Sequence, residues 1–399
     1  MPSARLMIVS LAILALVLVA CDATPPAAQT PGGEQPTPAG QETPGQQPGG
    51  ETPGGGEPGA QTPDAQTPGA QPTPGGPTGA RLGIIQSRGN LICGVNGGLQ
   101  GFSFLDESTN SWSGFDADYC RAVAAAVLGD PDAVEFRALS ADDRGPALQA
   151  GEIDVLIRNT TWTSSRDASW GNFGPTTFYD GQGMMVNRSL TDAASLEDLA
   201  GATICVQSGT TTELNLADQM RVRNVEYTPL VFDNIDATYE AYTQGRCDAV
   251  TSDRSQLVGR RSAFSDPGEH ELLDVVMSKE PLGPVVPHGD DQWYDVVKWV
   301  VFATFEAEEL GIDSGNVTDM ASTSEDPVVR RLLGVQPEVG ELASGLGLED
   351  DWVVTMISAV GNYEEIYNRN LGPETPLNLD RGPNQQWTDG GLLYAPPYR

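Results

Sequence analysis

Between about residues 91 and 251 the chain runs twice through the order strand, helix, strand, helix, strand. In the first run Leu91 to Val95, Val134 to Leu139 and Ile153 to Ile157 read as strands, with helices at about Asp116 to Leu128 and Asp142 to Ala150. Phe115, Tyr119, Val123 and Val127 recur every four residues and form one apolar helical stripe. In the second run the strands are Thr203 to Val206, Val225 to Val231 and Asp248 to Thr251, and the helices Thr211 to Arg221 and Ile235 to Tyr242. Ser195-Leu-Glu-Asp198 reads as a helix start between the two. Such alternation predicts α/β architecture: two lobes, each with a mainly parallel sheet flanked by helices, and ligands outside the carboxyl ends of the strands. After Lys279 an extended return leads into a long apolar-striped helix that should pack back on the first lobe. The chain would then cross between lobes near Met185 to Asn187 and near Val276 to Lys279. Residues 81–186 and 279–399, the latter including a C-terminal helical extension, would form lobe one, and 187–278 lobe two.

Two strand ends carry the chemistry. In IDVLIRNTTWTSSRD (Ile153 to Asp167) an apolar, β-branched strand runs into Asn-Thr-Thr and reaches Arg166. An ordinary strand exit also ends in polar residues, so this segment gains its weight from a second one. In ATICVQSGTTTELNLAD (Ala202 to Asp218) a strand meets a Gly-Thr-Thr-Thr-Glu turn that opens a helix, leaving backbone N–H groups and a positive dipole end for an anion. Two such edges, one small domain apart, point to two lobes facing one small polar ligand.

The N-terminus bears on location. Arg5 precedes an apolar run from Leu6 to Ala20, short for a membrane span and suited to a signal peptide covering residues 1–20. The run closes on Leu18-Val19-Ala20-Cys21, which resembles a bacterial lipobox, so Cys21 is expected to be lipidated and to begin the mature chain. A plain secretory signal that happens to contain a cysteine is the alternative. Residues 21–80 are almost wholly Pro, Gly, Gln, Thr and Ala, with repeated TPG units. Such a segment cannot bury enough apolar surface to offset its ordering entropy and reads as a disordered tether. Its reach as a flexible chain would be roughly 40 Å.

The chain carries 55 acidic against 22 basic residues, and only six of the acids precede residue 81. A body this acidic does not suit nucleic acid or a broad anionic lipid surface. Acidic doublets such as Asp142-Asp143, Asp290-Asp291 and Asp350-Asp351 lack EF-hand spacing and fit helix starts, so no metal is expected. Beyond Cys21 the cysteines are Cys93, Cys120, Cys205 and Cys247, an even number that permits three pairings in an exported protein. Cys93 lies in a strand on which the helix carrying Cys120 would pack, and Cys205 and Cys247 flank two strands of the second run. The favoured pairs are therefore Cys93 with Cys120 and Cys205 with Cys247, with four free thiols the alternative; no Cys-x-x-Cys spacing suggests zinc. With only His270 and His288, and no Gly-x-Ser-x-Gly, His-Glu-x-x-His or phosphate-binding loop, an enzyme is not expected.

The segments CGVNGGLQGFSF, WSGFDADYCRAVAAAVLGDP, ALQAGEIDVLIRNTTWTSSRD, YDGQGMMV, CVQSGTTTELNLAD, GRCDAVTSDRSQL and SKEPLGPVV, with GDDQWYDVVKW, resemble the family 3 solute-binding proteins of bacterial amino-acid ABC importers, in their general L-amino-acid branch. The resemblance spans about Leu91 to Leu310. It implies a two-lobed, hinge-closing, type II periplasmic-binding-protein fold that needs no cofactor, acts as a monomer, and delivers an L-amino acid to permease subunits. It also implies site residues. Arg166 matches the arginine that holds the ligand α-carboxylate, a task suited to a planar bidentate fork. Thr211 and its neighbouring N–H should complete that carboxylate site, Asp253 should receive the α-ammonium, and Asn159 and Thr161 should bond the two ends from lobe one. Arg158 replaces a small polar residue of many relatives, as a partner for an acidic or amide side chain or as half of a structural salt bridge. The glycine-rich loop from Asn96 to Gly101 lacks the stacking aromatic of narrower relatives and suggests a roomier pocket. Trp162 lines the pocket or is core. Other occupations of this fold are a lipid-tethered sensor that presents amino acids to a receptor, and a dehydratase-like enzyme.

Overall fold

The first β-strand, β1 (Leu91–Val95), has a parallel neighbour on each side in the computed structural model, which describes residues 80–190, 192–335 and 342–398. The signal peptide, Cys21 and the tether lie outside the described residues, apart from Ala80. β2 (Val134–Ala138) pairs with β1 over its whole length, from Leu91 opposite Val134 to Val95 opposite Ala138. β3 (Val155–Leu156) takes the other edge through Cys93 opposite Val155. The sheet continues with β11 (Val285–Val286) and β4 (Asn172–Phe173), in the order β2-β1-β3-β11-β4, and β11 is antiparallel to both its neighbours. The second sheet has the order β7-β6-β8-β5-β9, from β5 (Phe178–Asn187), β6 (Thr203–Gln207), β7 (Thr228–Phe232), β8 (Ala249–Asp253) and β9 (His270–Leu272). The three strands of each predicted run are parallel, whereas β5 and β9 run against them or each other.

β5 is the strand that leaves the first lobe. Phe178 to Gly181 lie opposite β10 (Lys279–Leu282), and Gln182 to Val186 lie opposite β8. The crossing expected at Met185 to Asn187 therefore falls inside the second sheet, where Met185 faces Val250, and the switch occurs earlier, at Phe178 to Gly181. A ten-residue strand reads as one pattern, and nothing in that pattern marks where its partner changes.

Helix α1 (Phe115–Leu128) is almost wholly buried because it is covered twice, by β1 beneath and by the C-terminal α8 (Trp352–Val360) above. Gly114 must precede it: at φ 123°, a Cβ there would stand 2.1 Å from the Phe102 carbonyl oxygen. The long helix α7 (Asp291–Glu309) carries the fully buried Trp293, whose indole N–H donates to the Asp154 carbonyl at 2.9 Å. The extension also braces the hinge. Asn384, buried, accepts from the Tyr179 N–H at 2.6 Å and donates to the Tyr179 carbonyl at 3.2 Å, gripping β5 at its crossing. Cys93 is bonded to Cys120, joining β1 to α1, and Cys205 to Cys247, joining β6 to the approach to β8.

Candidate functional site

The strand ends β3 and β8 and the start of helix α4 (Thr211–Arg223) meet at one cleft, which collects Arg158, Asn159, Thr161, Arg166, Thr211 and Asp253. Local structure sets each of them. After β3 the chain turns sharply enough to hold Asn159 at φ 29°, a conformation costing a non-glycine residue about 1–3 kcal/mol. Asp116, at the start of α1, offsets this by accepting the Asn159 N–H at 2.8 Å. Thr163 then caps the short helix α3 (Ser164–Ser169), its hydroxyl accepting from the Arg166 N–H at 3.2 Å, which fixes where the arginine leaves the backbone. On the facing lobe Thr210 caps α4 by accepting from the Glu213 N–H at 3.1 Å, and Thr210, Thr211 and Thr212 line the cleft at the start of that helix.

The cleft is lined by buried charges of both signs. Three are arginines: Arg158, Arg166 and Arg144, the last in α2 (Arg144–Gln149), and all three are buried. Arg166 donates to the Thr161 carbonyl at 3.1 Å and reaches the Gly209 carbonyl of the other lobe at 3.4 Å, where Arg144 also donates at 3.2 Å. Arg144 and Arg166 lie over the same ring, Trp170, at 5.4 and 4.9 Å from its centroid. Burial and mutual repulsion make the charges costly: Arg158 is pushed down to about 10, chiefly by burial, and Arg144 lies well below the ordinary value, by burial first and then by Arg158 and Arg166. The acid is Asp253, whose carboxyl lies well above the usual range because it is buried and has Asp180 and Glu280 nearby. Cations from one lobe and a carboxyl from the other thus line one cleft, close enough that Asp253 favours the charged forms of all three arginines, and a zwitterion carries a partner for each sign.

The walls touch across the gap. Asn159 brings its side-chain N–H₂ to Asp253 at 3.5 Å and to Gln256 at 3.3 Å, and the Thr161 and Thr211 hydroxyls are 3.4 Å apart. The free space is about 20 Å³, room for roughly one water molecule. Beside it an adjoining chamber of about 220 Å³ shares Arg158 and Gln207 and is bounded by Asn96, Gly98, Ser140 and Asp236. Asn96 is thus in that chamber and not in the main cleft, which it reaches only by donating to the Asn159 side-chain carbonyl at 3.1 Å. Trp162 belongs to neither cavity: 42% exposed, it stacks on Phe173 and borders a groove of about 780 Å³ along the hinge strands. Its ring leaves the cleft because β10 pins its backbone, the Trp162 N–H donating to Pro281 at 2.8 Å. Arg158 donates to the Leu139 carbonyl at 2.9 Å, and Asp116 is the charge that most favours its ionised form.

Three participants were not singled out in the sequence. Arg144 sits in a stretch that reads only as an amphipathic helix, and Gln256 follows the strand-end aspartate by three residues on α6 (Arg254–Ser262). Glu280 is an acid inside an apolar return strand, a pattern that could have marked it. It is 1% exposed and accepts from Thr161 at 2.6 Å and Thr211 at 2.8 Å.

With known proteins the chain shares both sequence and shape. Residues 91–311 match the model for bacterial extracellular solute-binding proteins, family 3. The chain is 50% identical over 316 residues to the general L-amino acid-binding periplasmic protein AapJ of Rhizobium johnstonii, covering 79% of this chain and 92% of that protein. It is 45% identical over 326 residues to the glutamate/glutamine/aspartate/asparagine-binding protein BztA of Rhodobacter capsulatus, covering 82% and 95%. Among solved structures, an ABC transporter periplasmic binding protein from Brucella ovis with glutathione bound is 50% identical, with a TM-score of 0.77 and coverage of 80% of this chain and 99% of that one.

Proposed function

The chain belongs to the family 3 bacterial extracellular solute-binding proteins, and from that premise we propose that its cleft captures L-amino acids for an ABC importer. The observation that carries this reading is the buried charge of both signs in one closed cleft built from both lobes. Arg166 takes the α-carboxylate, aided by the N–H groups at the start of α4, and Asp253 takes the α-ammonium, steadied by Asn159. Neither lobe alone offers both charges, so a zwitterion between them favours the closed arrangement over the open one. The present cleft is too small for an amino acid, so the ligand enters with the lobes apart and its groups replace the long contacts between the walls.

Arg144 and Arg158 remain for the side chain, which favours acidic and amide ligands within a broad range. The binding described by the names of AapJ and BztA supports that breadth. A calorimetric panel of L-amino acids is expected to give binding by several, with glutamate, glutamine, aspartate and asparagine among the tighter. Binding by a single hydrophobic amino acid would contradict this. The adjoining chamber favours a second reading: a ligand whose γ-carboxyl is extended by an amide, as in glutathione, keeps its amino-acid end in the cleft and lays the remainder beyond Arg158. Glutathione belongs in the same panel.

The sequence before residue 81 supports lipid anchoring at Cys21 on the outer face of the cell membrane, with the tether as a leash. Cys21→Ser is expected to abolish palmitate labelling and release the protein. A labelled, membrane-bound variant would refute the anchor alone.

A further inference from the structure

Glu280 touches the cleft only through other residues. It stands on β10 and forms part of the hinge groove. Its Oε2 accepts from the hydroxyls of Thr161, in lobe one, and Thr211, at the start of α4 in lobe two, at 2.6 and 2.8 Å. Its Oε1 accepts from Asn215 at 2.9 Å and from the Ser278 hydroxyl. A threonine hydroxyl has one hydrogen and two lone pairs, and an ionised carboxylate has no hydrogen to give. Both threonine hydrogens therefore go to Glu280. The two oxygens, 3.4 Å apart at the cleft, have no hydrogen between them and offer it lone pairs only.

We propose that Glu280 is a positioning residue that turns Thr161 and Thr211 into acceptors, so that the cleft selects an α-ammonium and rejects the α-hydroxyl of an otherwise identical acid. The inference rests on the amino-acid reading above and deepens it: it states which end of the ligand the two hydroxyls serve. It also divides the labour of Thr211, whose backbone N–H faces the carboxylate while its hydroxyl accepts. An ammonium brings three donors to this side of the cleft, with Asp253 as its counter-charge, and a hydroxyl brings one hydrogen and no charge. Burial keeps water from standing in for the difference, since Thr161 is 4% and Glu280 1% exposed. The same carboxylate oxygen is bonded from both lobes, so the acceptor pair exists as such only when the lobes have closed.

The test compares matched ligands: L-alanine with L-lactate, and L-glutamate with 2-hydroxyglutarate, measured by direct and competition titration on the whole protein. Glu280→Gln has one acceptor oxygen in place of two, so it cannot take the hydrogens of Thr161, Thr211, Asn215 and Ser278 together, and the threonine hydrogens lose their fixed direction. The amino acids are expected to weaken by about 10- to 100-fold, as for a lost hydrogen bond to a charged group, while the hydroxy acids change by less than about threefold. The selectivity ratio then collapses. Equal weakening of both ligand classes would show a merely structural role and overturn the proposal, as would an unchanged ratio. If Glu280→Gln does not fold, Thr211→Val, which removes the hydroxyl, is expected to lower the ratio, and Thr211→Ser, which keeps it, to leave the ratio as in the native protein; the opposite pattern overturns the proposal. A native protein that binds no amino acid refutes the amino-acid reading itself, an outcome distinct from a native protein whose selectivity survives Glu280→Gln.

Discussion

Asp116 stands at the start of α1 and holds the turn that carries Asn159. It is 4% exposed, and burial raises its carboxyl from the ordinary 3.8 to about 6, with the Asn159 N–H and Arg158 pulling in the other direction. A raised folded value means the protonated form suits the fold better, so the contribution of this group to stability is full below about pH 4 and is lost as pH rises through about 6. Asp116→Asn keeps an acceptor for Asn159 without the charge. Urea unfolding at pH 4 and pH 7 is expected to show the variant gaining on the native protein by about 2–3 kcal/mol across that interval; a constant gap would count against it. Arg158 invites a different test, because it borders both the cleft and the chamber. Arg158→Ala is expected to weaken glutamate and aspartate at least tenfold more than alanine or leucine, by roughly 1.5–3 kcal/mol of a charged hydrogen bond. Equal losses for all four ligands would assign Arg158 to structure.

At the scale of elements, covalent and local constraints fix where the charges stand. The Cys93–Cys120 bond ties β1 to α1 across 27 residues of sequence, and the first turn of α1 carries the Asp116 that supports Asn159. Replacing both cysteines by alanine should lower stability by about 2–4 kcal/mol, from loop closure in the unfolded chain, and leave amino-acid affinity within about twofold, since neither residue borders the cleft. Matched unfolding and titration curves check both halves. The elements themselves were largely legible in the sequence because periodicity reports local burial: β1, α1, β6 and α5 (Ile235–Thr243) fall within a residue or two of expectation. So were the strand ends, since polar residues after β-branched runs are a local signal. What stayed hidden is non-local. The partner change along β5, the antiparallel return of β11, and the approach of Glu280 to threonines 69 and 119 residues away depend on which segments meet. Asn96 enters the sequence reading through the loop where narrower relatives carry an aromatic, and Trp162 as pocket wall or core; the structure puts Asn96 in the adjoining chamber and Trp162 on the hinge groove, beside Thr161 in sequence but turned to another side.

The described residues form two lobes on a hinge of β5 and β10, with β5 gripped by the C-terminal extension through Asn384. In the proposed clamp a zwitterion neutralises the closed face from both sides, which makes ligand and closure one equilibrium. The arginine that reaches across the cleft to the Gly209 carbonyl, Arg166, is central to the proposed clamp. Titrate L-glutamate and L-alanine calorimetrically into the native protein and into Arg166→Ala, with circular dichroism to establish that the variant is folded. Both ligands should weaken together by about 2–5 kcal/mol, the loss for one truncated partner of a buried charge pair, because both present the same carboxylate. A folded Arg166→Ala protein that binds glutamate and alanine as tightly as the native one would contradict the zwitterion clamp.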